Sequence, residues 1–197
     1  MYQESMYYHA LAMRAKGDLG KLFKLRARGC AWKEAWETRQ GELFEPGETQ
    51  VVDPATSWDA LCKLGIRLIL REDPDYPRLL LETKSPPLGI YVKGTLPDVK
   101  TPVIAIVGTR KATDSGIATA SHFAESLAAH GVSIASGLAF GIDAAAHRGA
   151  LAAHGHTIAV LAHGLHAYFP RTNTHLAEEI LSSGGAIKSE YPPATPS

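Results

Sequence analysis

The hydrophobic positions change rhythm along the chain. From Met1 to Gly65 they recur at helical spacing. "ESMYYHALAMRAKG" puts Met6, His9, Ala10 and Met13 on one face and stops at Gly17. "AWKEAWETRQG" predicts a second helix. "ATSWDALCKLG" predicts a third, with Thr56 or Ser57 as N-cap and Gly65 as C-cap. A polar interval bearing proline and glycine, Glu45 to Asp53, separates them. From Ile66 to about Pro102 the pattern is mixed. "IRLIL" and "LGIYVKG" predict strands, and the proline-punctuated "REDPDYPRLLLETKSPP" between them predicts a loop with a short helix.

Beyond Pro102 the pattern becomes regular. "VIAIVG", "VSIASG", "TIAVLA" and "AIKSE" predict strands. Between them, Ser115 to His130, "GIDAAAHRGALAAHG" and "TNTHLAEEILSSGG" predict helices. The first presents Ile117, Ala120, Ala124, Leu127 and Ala128 on one face and ends at Gly131. The last is capped by Thr172 or Asn173. The strands are nearly continuous apolar runs, as expected where both faces are covered. The repeating β-α unit implies a parallel sheet with right-handed crossovers. The expected fold is therefore α/β, a mostly parallel Rossmann-like sheet with helices on both faces. The expected division is a small helical domain over 1–65 and a sheet domain over 66–197.

Composition narrows the partners. The 197 residues carry 20 Lys and Arg against 20 Asp and Glu, so a polyanion must be met by a local patch and not by global attraction. Two cysteines, Cys30 and Cys62, show neither metal spacing nor a disulfide framework, which suits a reducing cytoplasm. The N-terminus is not that of a signal peptide, and no segment approaches the ~20 apolar residues of a membrane span.

In an open parallel sheet, ligands sit beyond the carboxyl ends of the strands. Three connections fall there: "GTRKATDSG", "SGLAFGID" and "HGLHAYFPRTN". Each leaves its strand through a glycine, Gly108, Gly137 and Gly164. Glycine lets backbone N–H groups approach a bulky anion, and the following helix adds its positive end. Arg110 adds a fork of donors suited to phosphate oxygens, and Lys111 raises the local potential. The plainer reading is that the glycines serve tight turns and Arg110 is a surface residue. "GTRKATDSG" is neither a dinucleotide fingerprint nor a P-loop.

Asp143 and His147, four apart near a helix start, could pair, hold a metal, or orient Ser136 as a nucleophile. Ser136 lacks the nucleophile elbow, and no third metal ligand is evident. The structural reading is stronger: Asp143 accepts backbone N–H bonds at the helix start, and His147 bonds back to the loop. His154, His156, His163, His166 and His175 follow no ligand spacing. Tyr168 and Phe169, beside Arg171, form either a stacking face for unpaired bases or a plug packed into the sheet mouth. A cationic strip from Arg110 and Lys111 to Arg171 would suit a phosphate chain better than a single nucleotide.

"IAIVGTRKATDSG", "SGLAFGIDAAAHRGAL", "TIAVLAHGLHAYFPRTN" and "SEYPPATP" resemble, in order and spacing, the DNA-processing protein A family (DprA, also called Smf). "DPDYPRLL" and "SPPLGIYVKG" resemble its upstream segment, so the likeness covers roughly residues 66–196. The helical zone resembles the family's sterile-alpha-motif-like N-terminal domain by position and pattern. The resemblance implies a non-catalytic protein of natural transformation and recombination. Such a protein binds and protects single-stranded DNA, helps load the RecA recombinase, and forms a homodimer where the C-terminal half of the domain is present; no cofactor or metal is expected. The family's phosphate-gripping turn maps onto Gly108, Thr109 and Arg110. Its second segment maps onto Ser136 to Asp143, including Gly137 and Gly141, with Phe140 where members often carry a basic residue. The resemblance also implies that the Rossmann-like domain is incomplete at its C-terminal side, leaving the "VIAIVG" strand without a neighbour on one edge. The alternative is a phosphoribohydrolase-like nucleotide enzyme. Its P-G-G-x-G-T loop follows a strand, whereas Gly184 and Gly185 here precede one.

Overall fold

The computed structural model describes residues 2–38 and 52–197. Most of the polar interval ahead of Asp53 lies outside the described residues. The helices α1 (Tyr2–Arg14), α2 (Leu19–Arg26), α3 (Trp32–Thr38) and α4 (Pro54–Lys63) come first. The strand β1 (Ile66–Leu70), the short helix α5 (Arg78–Leu81) and the strand β2 (Gly89–Gly94) follow. The regular series is β3 (Val103–Ala105), α6 (Asp114–Ala129), β4 (Ser133–Ser136), α7 (Ile142–Ala152), β5 (Thr157–Leu161), α8 (Thr174–Ser182) and β6 (Ala186–Ser189).

Capping chemistry sets several boundaries. The N-cap of α4 is Asp53, whose carboxylate accepts from Thr56 N at 2.7 Å, with Pro54 opening the helix; neither Thr56 nor Ser57 caps it. Thr113 caps α6 by accepting from Gly116 N at 3.1 Å. The helix α2 has little sequence signature, because it is eight residues long, contains Gly20 and buries only Leu22 and Leu25.

The six strands lie in the order β1-β2-β6-β5-β4-β3. β3 to β6 are parallel, and β2 runs antiparallel to both β1 and β6. The path β3-β4-β5-β6 steps across the sheet in one direction, so right-handed crossovers put α6, α7 and α8 on one face. The N-terminal helices occupy that same face: Tyr8, Leu11, Trp32 and Trp58 share one buried cluster with Leu68, Tyr91, Ala159 and Ile187 of the sheet and Ile180 of α8. The expected division at residue 65 falls in the turn between α4 and β1, and this cluster runs across it. The other face carries a smaller cluster, Ile69, Ile90, Val92, Ile158 and Ala186, with Tyr76 and Leu80 from the α5 segment.

Helices therefore lie on both faces, but unequally. Toward β3 the second face thins, and Val103 and Val160 are 40% and 42% exposed. The expected six-residue strand from Val103 shortens to three residues with exposed side chains. Among the described residues it pairs only with β4, at the edge of the sheet.

Two buried histidines tie layers together. His9 Nδ1 meets the Tyr91 hydroxyl at 3.1 Å. His147 Nδ1 lies 2.7 Å from Thr157 Oγ1, whose own proton goes to Ile134 O at 2.8 Å, so the histidine donates. Burial pushes each imidazole down from 6.5 to about 4. The folded state thus binds fewer protons than the unfolded chain between those values. Stability is fully present above about pH 6.5 and falls as pH drops toward 4, by roughly 3 kcal/mol per histidine. Urea midpoints measured across that window should fall accordingly, and His147→Gln should flatten part of the slope. A midpoint independent of pH there would contradict this account.

Candidate functional site

Three loops meet at the carboxyl ends of β3, β4 and β5. The first runs from Ile106 to Thr113, the second from Gly137 to Gly141, and the third from Ala162 to Pro170. Gly108 lies against the first residue of α7, where a Cβ would stand 2.7 Å from Ile142. Gly141 has φ +74, and its Cβ would stand 2.3 Å from Thr109 O and 3.0 Å from Arg110 O. Ile142 N donates to Thr109 O at 3.3 Å. The second loop thus supports the Thr109–Arg110 turn from behind. The 3-10 turn after the third loop joins the second through Asn173, whose Nδ2 donates to Leu138 O at 2.8 Å and Ala139 O at 3.3 Å. Leu138 is fully buried with φ +60, which sequence gives no hint of, since it is set by closure of the loop around it.

Several expected phosphate donors are engaged within the protein. Asp143 is 7% exposed, and its Oδ2 accepts from Gly137 N at 3.1 Å. Its Oδ1 accepts more weakly from Gly108 N at 3.4 Å. Those two amides point at the carboxylate and not outward. The Ser136 hydroxyl donates to Ile106 O at 2.6 Å, fastening β4 to the chain leaving β3. Gly164 N donates to Thr195 O at 2.9 Å, and a Cβ there would meet Pro193 O at 2.1 Å, so this glycine seats the C-terminal segment. Asp143 and His147 do not pair. His147 bonds to Thr157 on β5 instead of to the loop, because the helix turns its side chain onto the sheet.

The turn itself is open. Arg110 and Lys111 are exposed, and their side chains make no hydrogen bond or ion pair with the described residues. The N–H groups of Thr109 and Arg110 have no acceptor among them either, while Thr109 Oγ1 accepts from Lys111 N at 3.2 Å and holds the turn's shape. Arg171 is exposed at the start of a 3-10 turn, Arg171–Asn173, on the same rim. Phe140 and Phe169 present aromatic faces there, 46% and 53% exposed. Tyr168 instead packs against the main core. Asn173 and Ile142 were not legible as site residues, because each acts on a loop 30 or more positions away.

The histidines serve separate ends. His156 meets Ser133 Oγ and Thr95 O, and His163 Nδ1 donates to Gly164 O. Among the described residues no three His, Cys, Asp or Glu side chains converge as a metal site, and no helix is long and apolar enough to cross a membrane. Gly184 has φ +85, and Gly185 N donates to Ile180 O, so this pair ends α8 and offers no phosphate loop. A cavity of about 340 Å³ opens on the second face beside Leu80, Val160, Tyr191 and Lys188, whose ammonium burial pushes down; none of the rim cations lines it.

The topology and the cationic rim define a Rossmann-like α/β protein whose exposed turn sits at the sheet's carboxyl edge. The chain belongs to the DNA recombination-mediator protein A family, whose profile matches residues 67–197. It is 46% identical to protein Smf of Synechocystis over 125 residues, which are 61% of this chain and 31% of that protein. It is 37% identical to protein Smf of Escherichia coli over 154 residues, 78% of this chain and 41% of that protein. The chain thus spans about a third to two fifths of these relatives' length. The X-ray structure of DNA processing protein A from Streptococcus pneumoniae aligns with TM-score 0.67 at 26% identity, covering 97% of this chain and 67% of that one. DNA processing protein A from Helicobacter pylori, described for its single-stranded DNA binding mode, aligns with TM-score 0.58 at 30% identity, covering 66% and 58%.

Proposed function

We propose that this chain carries the strand-gripping part of a non-catalytic single-stranded-DNA-binding protein. The observation that carries the reading is the Thr109–Arg110–Lys111 turn, with unengaged amides, a free guanidinium and a free ammonium on an exposed rim. A phosphodiester oxygen between the Arg110 fork and those amides receives several charge-assisted bonds at once. Lys111 and Arg171 extend the positive rim along a backbone, and Phe140 and Phe169 offer faces to unstacked bases. Membership of the family and the DNA-binding relative support the same reading against the nucleotide-hydrolase alternative.

The reading extends to the whole protein as the family suggests it: protection of incoming strands in transformation, loading of RecA recombinase, a homodimer, a cytoplasmic location, and a helical unit up to residue 65 distinct from the sheet domain. For Arg110→Ala the expected result is weaker binding of a labelled oligonucleotide, with the salt slope of log K reduced by about 0.7, the value for one phosphate contact on a single strand. An unchanged slope in a fluorescence titration would remove Arg110 from the interface.

A further inference from the structure

The Asp143 carboxylate stands where an anion would otherwise sit. It fills the gap between the first two rim loops, accepting from Gly137 N at 3.1 Å and Gly108 N at 3.4 Å. It is 7% exposed, and no cation among the described residues pairs with it. The amides it takes are those that, in an open glycine turn, would neutralise a terminal phosphate. We propose that Asp143 makes this rim selective for internal phosphodiesters over terminal phosphate monoesters. The inference rests on the reading of the rim as a polynucleotide site.

Charge sets the preference. A diester carries a single negative charge, which one guanidinium and the amides of Thr109 and Arg110 can meet. A monoester is nearly doubly charged at neutral pH. Its second charge finds the inner amides already engaged and a fixed carboxylate behind the turn. Burial keeps that carboxylate poorly screened, whereas Asp114, exposed in the first turn of α6, is screened by water and salt. Any gain in attraction to Arg110 is therefore offset by repulsion from Asp143.

Two measurements test this. The first compares short oligothymidylates with a 5′-hydroxyl or a 5′-phosphate, on the wild type and on Asp143→Asn. In the wild type the terminal phosphate should change affinity by less than about twofold. In the variant it should raise affinity about tenfold, the order of one added charge interaction near a protein surface. A tenfold preference for the phosphorylated strand in the wild type would overturn the proposal. If Asp143→Asn fails to fold, the wild-type pair still decides. The second measurement follows the Gly108 and Gly137 amide resonances during titration with inorganic phosphate. Shifts in the wild type would overturn the proposal, and shifts confined to the variant would support it. This second arm reads Asp143 even if neither oligonucleotide binds, a result that would sink the DNA-binding reading instead.

Discussion

Gly141→Ala is expected to weaken single-stranded DNA binding at least as much as Arg110→Ala, and to destabilise the fold as well. Gly141 has φ +74 and ψ −122, a conformation that costs a residue with a Cβ about 1–3 kcal/mol. The added carbon would stand 2.3 Å from Thr109 O and 3.0 Å from the Arg110 carbonyl carbon and oxygen. These are backbone atoms, so no side-chain rotation relieves the contact. The turn that presents Arg110 must move, and the Ile142 N to Thr109 O bond goes with it. Gly131→Ala is the matched control. Its φ is +78, but nothing lies within 4 Å of the new carbon. It should cost roughly 1 kcal/mol of stability and leave DNA affinity unchanged. Equal DNA affinity for the two variants would show that the second loop does not position the first.

Gly149→Ala should destabilise the protein by about 3 kcal/mol, the upper end of overpacking costs. The sign is informative, because in an unconstrained helix interior the same change stabilises by about 1 kcal/mol. Here the new carbon would sit 2.1 Å from Ser121 O and 2.9 Å from Ser121 C. The helices α6 and α7 meet through small residues, with Ala124, Ala128, Ala146 and Ala150 buried between them and β4. Such an interface closes only because backbone touches backbone, and one methyl group forces it open. Urea unfolding measures the loss; a midpoint equal to or above that of the wild type would contradict the close approach.

The regular half of the fold was legible because each element there obeys one local rule. Apolar runs made the strands, glycine marked the helix ends at Gly131 and Gly184, and three strand ends pointed to one rim. What stayed hidden depends on contacts between distant positions. Asp143 reaches Gly108 across 35 residues and Gly137 across six, and no periodicity shows which of several glycines a carboxylate will engage. Gly164 looked like a third anion turn, yet it seats Pro193, a contact that exists only once the chain beyond β6 folds back. The exposure of β3 likewise follows from sheet order and from the uneven covering of the two faces, not from its own apolar sequence. The exposed cationic turn at Arg110 was legible because its chemistry is local: a strand, a glycine, a cation and a capped helix in one stretch.

The most direct test compares a labelled unpaired oligonucleotide with a duplex of the same sequence, each titrated at two salt concentrations. The account predicts tighter binding of the single strand. It also predicts a fall of about 20-fold between roughly 50 and 200 mM salt, as about three phosphate contacts at Arg110, Lys111 and Arg171 require. Equal or tighter binding of the duplex, or an affinity indifferent to salt, would contradict it.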